Sequence, residues 1–282
     1  MGDDIIEIKP GFGGVALDVR ALFRQFGKKD NHGPVTVVAQ RFLQLFQDHG
    51  VAISQIPRMI PQLTLDKLRS SEALLPSLTP DVLESAATLF GVRLSWLEGV
   101  DDRIYESYYC YKQPSLLFED LATLSLPTNG FAMRTLSSTK KLDCRSGRRQ
   151  ILALVLVEKV QNLGEEEILR YRIYDNEWGW SHPPCRVQLK AMARLFFQIH
   201  KRPVPLHQVN PETLQAIIDG KCVPHIALQG CLLTNPSLED FALSSGESVK
   251  YKEADELPAV LDYIRKYELD KLAQLAYQKH FD

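Results

Sequence analysis

Residues 78–99, LTPDVLESAATLFGVRLSWLEG, constrain the fold of this chain more than any other stretch. Thr79 followed by Pro80 is a helix start: a side-chain oxygen able to accept from the first turn, then a ring whose missing N–H costs nothing there. Val82, Leu83, Ala86, Leu89 and Phe90 recur at helical spacing and form one apolar stripe. Gly91 falls one place past it, where a left-handed backbone is cheapest for a residue without Cβ. Val92 is expected to fold back on the helix. Ser95 is expected to cap a last turn that buries Trp96 and Leu97 before Gly99.

The same punctuation runs upstream. Residues 1–34 suggest a strand at 5–8 and a short helix at 15–26, ending in the turn cluster DNHGP. Residues 35–49 place Val35, Val38, Phe42, Leu45 and Phe46 on one helical face, with Gly50 just beyond. Ser54 is expected to cap a helix over 54–60, with Pro57 in its first turn and Pro61 limiting its length. Thr64 is expected to cap a third helix over 64–71, with Leu65 and Leu68 turned inward. Short connections of this kind join four or five helices into a small all-α unit.

This segment resembles the Xre/Cro-type (lambda-repressor-like) helix-turn-helix domain over residues 35–99, most closely in LTPDVLESAATLFGVRLSWLEG. The resemblance implies that 54–60 and 64–71 form the helix-turn-helix, the second entering the major groove. Thr64, Asp66, Lys67, Arg69 and Ser70 are then the polar residues of the reading segment. Lys67 can bond a guanine edge or a phosphate, and Asp66 can accept from cytosine. Arg58, Arg41 and the arm of Arg20, Arg24, Lys28 and Lys29 are candidates for phosphate contacts, and Gln62 completes the set. The chain departs from the family pattern where a Leu-Ala pair and a turn glycine are usual: Ile56, Pro57 and Pro61 stand there. Domains of this type also serve as protein-interaction modules.

The 282 residues carry a net charge of −2, so no global basic excess marks a nucleic-acid partner. Between Arg20 and Ser70, however, eight basic residues face three acidic ones, a local basic footprint. The 45% hydrophobic and 24% charged composition is that of a globular chain with an ordinary core. The five scattered cysteines suit thiols in a reducing compartment. The start MGDDIIEIKPG has no signal-type apolar core, and the longest apolar run, ILALVLV at 151–157, has buried-strand length. A cytoplasmic protein with no membrane partner is expected.

Beyond residue 102 the pattern changes. The apolar run 150–160 predicts a strand buried on both faces, and the alternating 168–174 a half-exposed one, joined by a loop containing Gly164. A third strand is expected at 131–136. Helices are expected at 186–200, with Leu189, Met192, Ala193, Phe196 and Phe197 inward, and at 211–219, 257–267 and 269–278. The predicted fold is a two-domain α+β chain. It has an N-terminal arm (1–34), an all-α helix-turn-helix bundle (35–102), and a mixed α+β regulatory or dimerisation domain (103–282) with a small, mainly antiparallel sheet.

No glycine-rich phosphate loop, G-x-S-x-G or H-E-x-x-H occurs, so an enzyme is not expected. The spacing of Cys222, His225 and Cys231 does not match structural zinc patterns; no metal or cofactor is expected. The stretch YDNEWGWSHPPC gathers Asp175, Glu177, Trp178, Trp180 and His182 into a loop that could line a ligand pocket, though paired tryptophans more often plug a core. The basic loop KKLDCRSGRR (Lys140, Lys141, Arg145, Arg148, Arg149) is read as solvated. The expected function is a bacterial or mobile-element transcriptional regulator. It would bind double-stranded DNA as a homodimer, with an effector or protein partner acting on the C-terminal part. The alternative is an adaptor or antagonist that uses the helical unit to bind protein.

Overall fold

The computed structural model describes residues 34–124, 130–229, 231–234, 237–242 and 256–281. The expected strand at 5–8, the helix at 15–26 and the basic arm lie outside them. Helix α1, Pro34–Asp48, buries Ala39, Phe42, Leu45 and Phe46. It closes at Gly50, whose φ of 77° supplies the left-handed turn. Ser54 is not the next cap. A 3-10 turn, Ile53–Gln55, is held by the Gln55 amide oxygen accepting from the Ala52 N–H at 3.0 Å, and runs into α2, Ile56–Met59.

The helix expected over 64–71 does not form. That stretch holds a single 3-10 turn, Lys67–Arg69, and the helix proper, α3, is Ser71–Leu74. Two local facts explain it. Ser70 is extended, with φ −156° and ψ 162°, and its hydroxyl accepts from Ala73 N–H at 3.2 Å, so it caps α3 instead of continuing the preceding turn. Leu65, expected inward, is 61% exposed, so the apolar pair that would have anchored the longer helix is missing; Leu63, Leu68 and Leu74 are buried in its place.

Helix α4, Pro80–Phe90, follows the sequence closely: Thr79 holds cap geometry, although its hydroxyl makes no cap bond. Gly91 is left-handed (φ 67°), and the Gly91 and Val92 N–H groups both reach the Ala87 carbonyl. Helix α5, Leu94–Leu97, is capped by Arg93 rather than Ser95, whose carbonyl instead accepts from Val100 and Asp101. Trp96 and Leu97 are buried.

After α6, Ser115–Thr123, come β1, Phe131–Ser137, β2, Ile151–Leu163, and β3, Glu166–Gly179. The β2–β3 turn is only Gly164-Glu165, so both strands run well past the expected loop. Helix α7, Pro183–His200, crosses to β4, Leu206–Gln208. Helices α8, Pro211–Ile218, and α9, Pro224–Gln229, precede β5, Leu232–Thr234; α10, Leu257–Lys266, and α11, Leu269–Phe281, follow. Phe197, expected inward on α7, is exposed. The strand order is β3-β2-β1-β4-β5, antiparallel except for the β1/β4 pair.

The chain is thus mixed α+β, with helices on both faces of one small sheet. Alternation assigns the faces. Ala132, Leu136, Ala153, Val155, Val157, Tyr171 and Ile173 share one continuous core with Phe42, Phe46, Phe90 and Trp96 of the helical unit. On the other face Met133, Leu152, Leu154, Leu156 and Trp178 pack with Leu189, Met192 and Phe196 of α7, Val260 of α10 and Ala273 of α11. β2 is buried on both sides, as its unbroken apolar run predicts. Among the described residues no helix is long and apolar enough to cross a membrane.

Candidate nucleic-acid interface

The residues of the expected reading segment come together on one corner of the helical unit. Pro57 starts α2 and Pro61 follows its end, so the chain emerges in a turn; Arg58, Gln62, Thr64, Leu65 and Asp66 are exposed on consecutive turns. Lys67 is half-buried and its Nζ donates to the Gln62 carbonyl at 3.1 Å, tying the two turns together. Arg69 lies 3.3 Å from Asp66, both side chains open to solvent, a screened pair that another anion can replace. Ser70 is occupied as the α3 cap.

Arg41 does not reach this corner. It is held inside the helical unit, Nη1 donating to the Trp96 and Asp101 carbonyls at 2.6 Å each and Nη2 lying 3.3 Å from Asp102. Its guanidinium also sits 5.6 Å from the Trp96 ring centre. Sequence reasoning read a surface cation where the fold uses a clamp that joins the Trp96 and Asp101 carbonyls.

The second expected site, 175–182, is mostly strand. β3 runs to Gly179, and both tryptophans are fully buried. Trp178 meets Tyr111 edge-on at 5.2 Å; Trp180 meets Phe241 at 5.1 Å and the Lys190 ammonium at 5.5 Å. They are core, not aromatic walls for a ligand. Glu177 pairs with Arg149, and the Asp175 side chain lies outside the described residues. His182 is exposed and turned onto Cys185.

A third cluster was missed. Between the helical unit and the sheet, His49 donates from Nδ1 to the Leu45 carbonyl at 2.8 Å, which leaves Nε2 to accept from the Tyr105 hydroxyl at 3.2 Å. Tyr171 bonds His225 Nδ1 at 2.8 Å, and Gln229 bonds its Nε2 at 2.6 Å. Burial lowers His49 to about 3 and His225 to about 4. His207, opposite Leu136 in the register, falls to about 4 by burial and then by the nearby Arg134. Burial raises Asp48 to about 6 against the opposing bond from Gln44. These groups sit too deep for a substrate, and the His49–Tyr105 and Tyr171–His225 partners are 56 and 54 residues apart in sequence, beyond any local motif.

Cys222 and Cys231 do not converge with His225: their thiols donate to the Val223 and Ala227 carbonyls. Burial pushes these thiols up to about 12 and about 11. Among the described residues no group of three metal-ligating side chains is placed to hold an ion. Comparison with family models, with curated proteins and with solved structures finds no match.

Proposed function

We propose that this chain is a DNA-binding transcriptional regulator of the cytoplasm, whose 53–70 corner docks on duplex DNA. The observation that carries the reading is the presentation of exposed Arg58, Gln62, Thr64 and Arg69, with half-buried Lys67 among them, along consecutive turns of the short-helix bundle. Arg58 and Arg69 supply phosphate contacts. Gln62, Thr64 and Lys67 supply groups able to bond base edges, and exposed Leu65 supplies an apolar contact for a thymine methyl. A reading segment this short covers few base pairs, so two copies acting on half-sites about one helical turn apart belong to the reading. The sheet-and-helix body is the part assigned to pairing and to sensing an effector or protein partner.

The second reading is a protein-binding adaptor without DNA binding. The interruption of the reading segment at Ser70 and the outward Leu65 favour it, because a groove reader needs a straight rigid helix and a protein partner does not. Retention of duplex DNA from the protein's own gene neighbourhood, measured at two salt concentrations, separates the two. Retention of a discrete sequence, weakened by salt and lost in Lys67→Ala/Arg69→Ala, supports the regulator. Absence of retention at low salt replaces it with the adaptor.

A further inference from the structure

The sequence SHPPC places a histidine three residues ahead of a cysteine at the start of the longest helix among the described residues, and the fold brings them into contact. His182 Nδ1 lies 3.2 Å from Cys185 Sγ, and the Tyr111 hydroxyl lies 3.4 Å from the same sulfur. Two polar groups thus meet one thiol: Sγ donates to the Tyr111 hydroxyl, and the imidazole nitrogen stands within reach of the same proton. His182 holds the cap position of α7 without capping it, and Cys185 is the third residue of that 18-residue helix, at its positive end. Tyr111 remains protonated at neutral pH, its phenol held up first by the bond to Cys185 and then by desolvation.

We infer that Cys185 is a peroxide-reactive thiol served by His182, a site independent of the DNA-binding reading. The chemistry follows from what the first turn lacks. Pro183 and Pro184 have no N–H, and the Arg186 N–H is bonded to the His182 carbonyl at 3.0 Å. The turn therefore cannot offer the convergent amide donors that an acyl oxyanion requires, which excludes a thiol hydrolase built on this turn. Oxygen transfer from a hydroperoxide needs no such hole. His182 Nδ1 takes the Sγ proton, and the thiolate attacks one peroxide oxygen. The S–O bond forms as the O–O bond breaks, and the departing hydroxide or alkoxide takes the proton back from His182. The products are a sulfenic acid and water or an alcohol; sulfur loses the two electrons the peroxide gains.

Size sets the substrate class. Cys185 is 2% exposed and in contact with the exposed His182 side chain, so the substrate class is a small hydroperoxide and not a bulky disulfide. The charged neighbours are Lys112, 5.2 Å from the Tyr111 ring centre, and the Arg149–Glu177 pair beside it. Elsewhere the thiols of Cys222 and Cys231 are pushed up by burial, and Cys110 is fully buried. Cys144, half-buried in the basic loop, is the reference thiol.

The test exposes the full chain to substoichiometric hydrogen peroxide, quenches with catalase, and unfolds it in dimedone so that every sulfenic acid is trapped. Peptide masses then report each cysteine. Cys185 is expected to oxidise about tenfold faster than Cys144, and His182→Ala to remove that advantage while leaving Cys144 unchanged. Because His182 is exposed, the variant keeps its near-UV dichroism; His182→Gln, which can donate but not accept the thiol proton in the same way, gives the same loss. Oxidation of Cys185 no faster than Cys144, or a rate unchanged in both His182 variants, overturns the proposal.

Discussion

The two faces of the sheet bury polar groups in opposite ways. On the α7 side most of the buried polar groups are charged and paired, alongside the Tyr174 phenol, which donates to Asp120, and the His200 ring stacked on Phe196. Glu158 receives Arg170 and Arg172, Arg172 also meets Asp120, and Glu256 receives both Arg186 and the fully buried Lys190. On the helical-unit side, Arg134 and Asp48 apart, they are imidazoles and phenols, held neutral, with His49–Tyr105 and Tyr171–His225 bonded to one another. The difference sets how each face responds to its surroundings. An ion pair keeps its charges over a wide pH range, whereas a neutral buried histidine becomes an unpaired cation when acid forces a proton on it. Acid therefore acts on one face first.

The largest test asks whether the faces are one cooperative unit. Phe90 of α4 and Trp178 of β3 are both fully buried, one in each core. Phe90→Ala and Trp178→Ala are each expected to cost about 3–5 kcal/mol. Urea unfolding followed by tryptophan fluorescence and by far-UV dichroism should show one coincident transition for both variants, because the strands that carry one core carry the other. A Phe90→Ala protein that unfolds in two steps, helical unit first, would break the comparison into two independent bodies.

The next is the acid response. His49, His225 and His207 have folded values of about 3, 4 and 4, below the unfolded 6.5. The stability they contribute is complete above about pH 6.5 and is lost as pH falls toward 4, where the unfolded chain binds protons that the folded chain refuses. Asp48, raised to about 6, works the other way: folding gains a proton there, so acidification from pH 6 to 4 stabilises. Three sites against one leave a net loss on the order of 2 kcal/mol per pH unit near pH 5. His225→Gln should flatten that slope. Hydrogen exchange at pH 5 should rise around α1 and α9 before α7, and loss of protection on α7 first would reverse the assignment.

How much of this was legible in the sequence follows from the range of the signals. α1, α4, α7, α8 and both C-terminal helices are announced locally, by proline at or near their starts or by a repeating apolar face, and their bounds differ from expectation by a few residues. The central strands were readable because β2 is apolar throughout. The reading segment was misjudged because Ser70 offered two local solutions, one turn more of helix or a cap, and the cap was chosen by packing around Leu63 and Leu74 rather than by periodicity. The three-residue strands β4 and β5 are too short to show a period, and their pairing depends on the α7 crossover. The His49–Tyr105 and Tyr171–His225 bonds carry no sequence signal, since each joins elements that meet only in the finished fold.

Gly91 sharpens the comparison at the seam between the layers. Its φ of 67° disfavours a Cβ, and a Cβ there would stand 2.8 Å from Cδ of Arg170, the residue that pairs with Glu158. Gly91→Ala is expected to cost about 1–2 kcal/mol, the left-handed backbone supplying about 1 and displacement of the arginine the rest. Adding Arg170→Ala should recover part of the contact cost but not the backbone cost. A double mutant no better than the sum of the two singles would show that Arg170 moves aside freely.

Smallest in stability, and most direct for function, is the contrast between two arginines of the helical unit. Arg41 donates to two carbonyls inside it, and the Trp96 carbonyl keeps the Gly99 N–H without it, so Arg41→Ala is expected to cost about 1 kcal/mol, mainly at the Asp101 carbonyl. Arg58 is exposed on α2, so Arg58→Ala should leave stability within about 0.5 kcal/mol. If the 53–70 corner meets DNA, Arg58→Ala weakens binding alike for all sequences and lowers the slope of log affinity against log salt by about 0.9. Lys67→Ala acts differently, because its ammonium also ties the turn at Gln62; it should alter which sequence is preferred as well as how tightly it is held. An Arg58→Ala protein with the salt slope of the parent would remove this corner from the DNA contact and leave its exposed Leu65 to a protein partner.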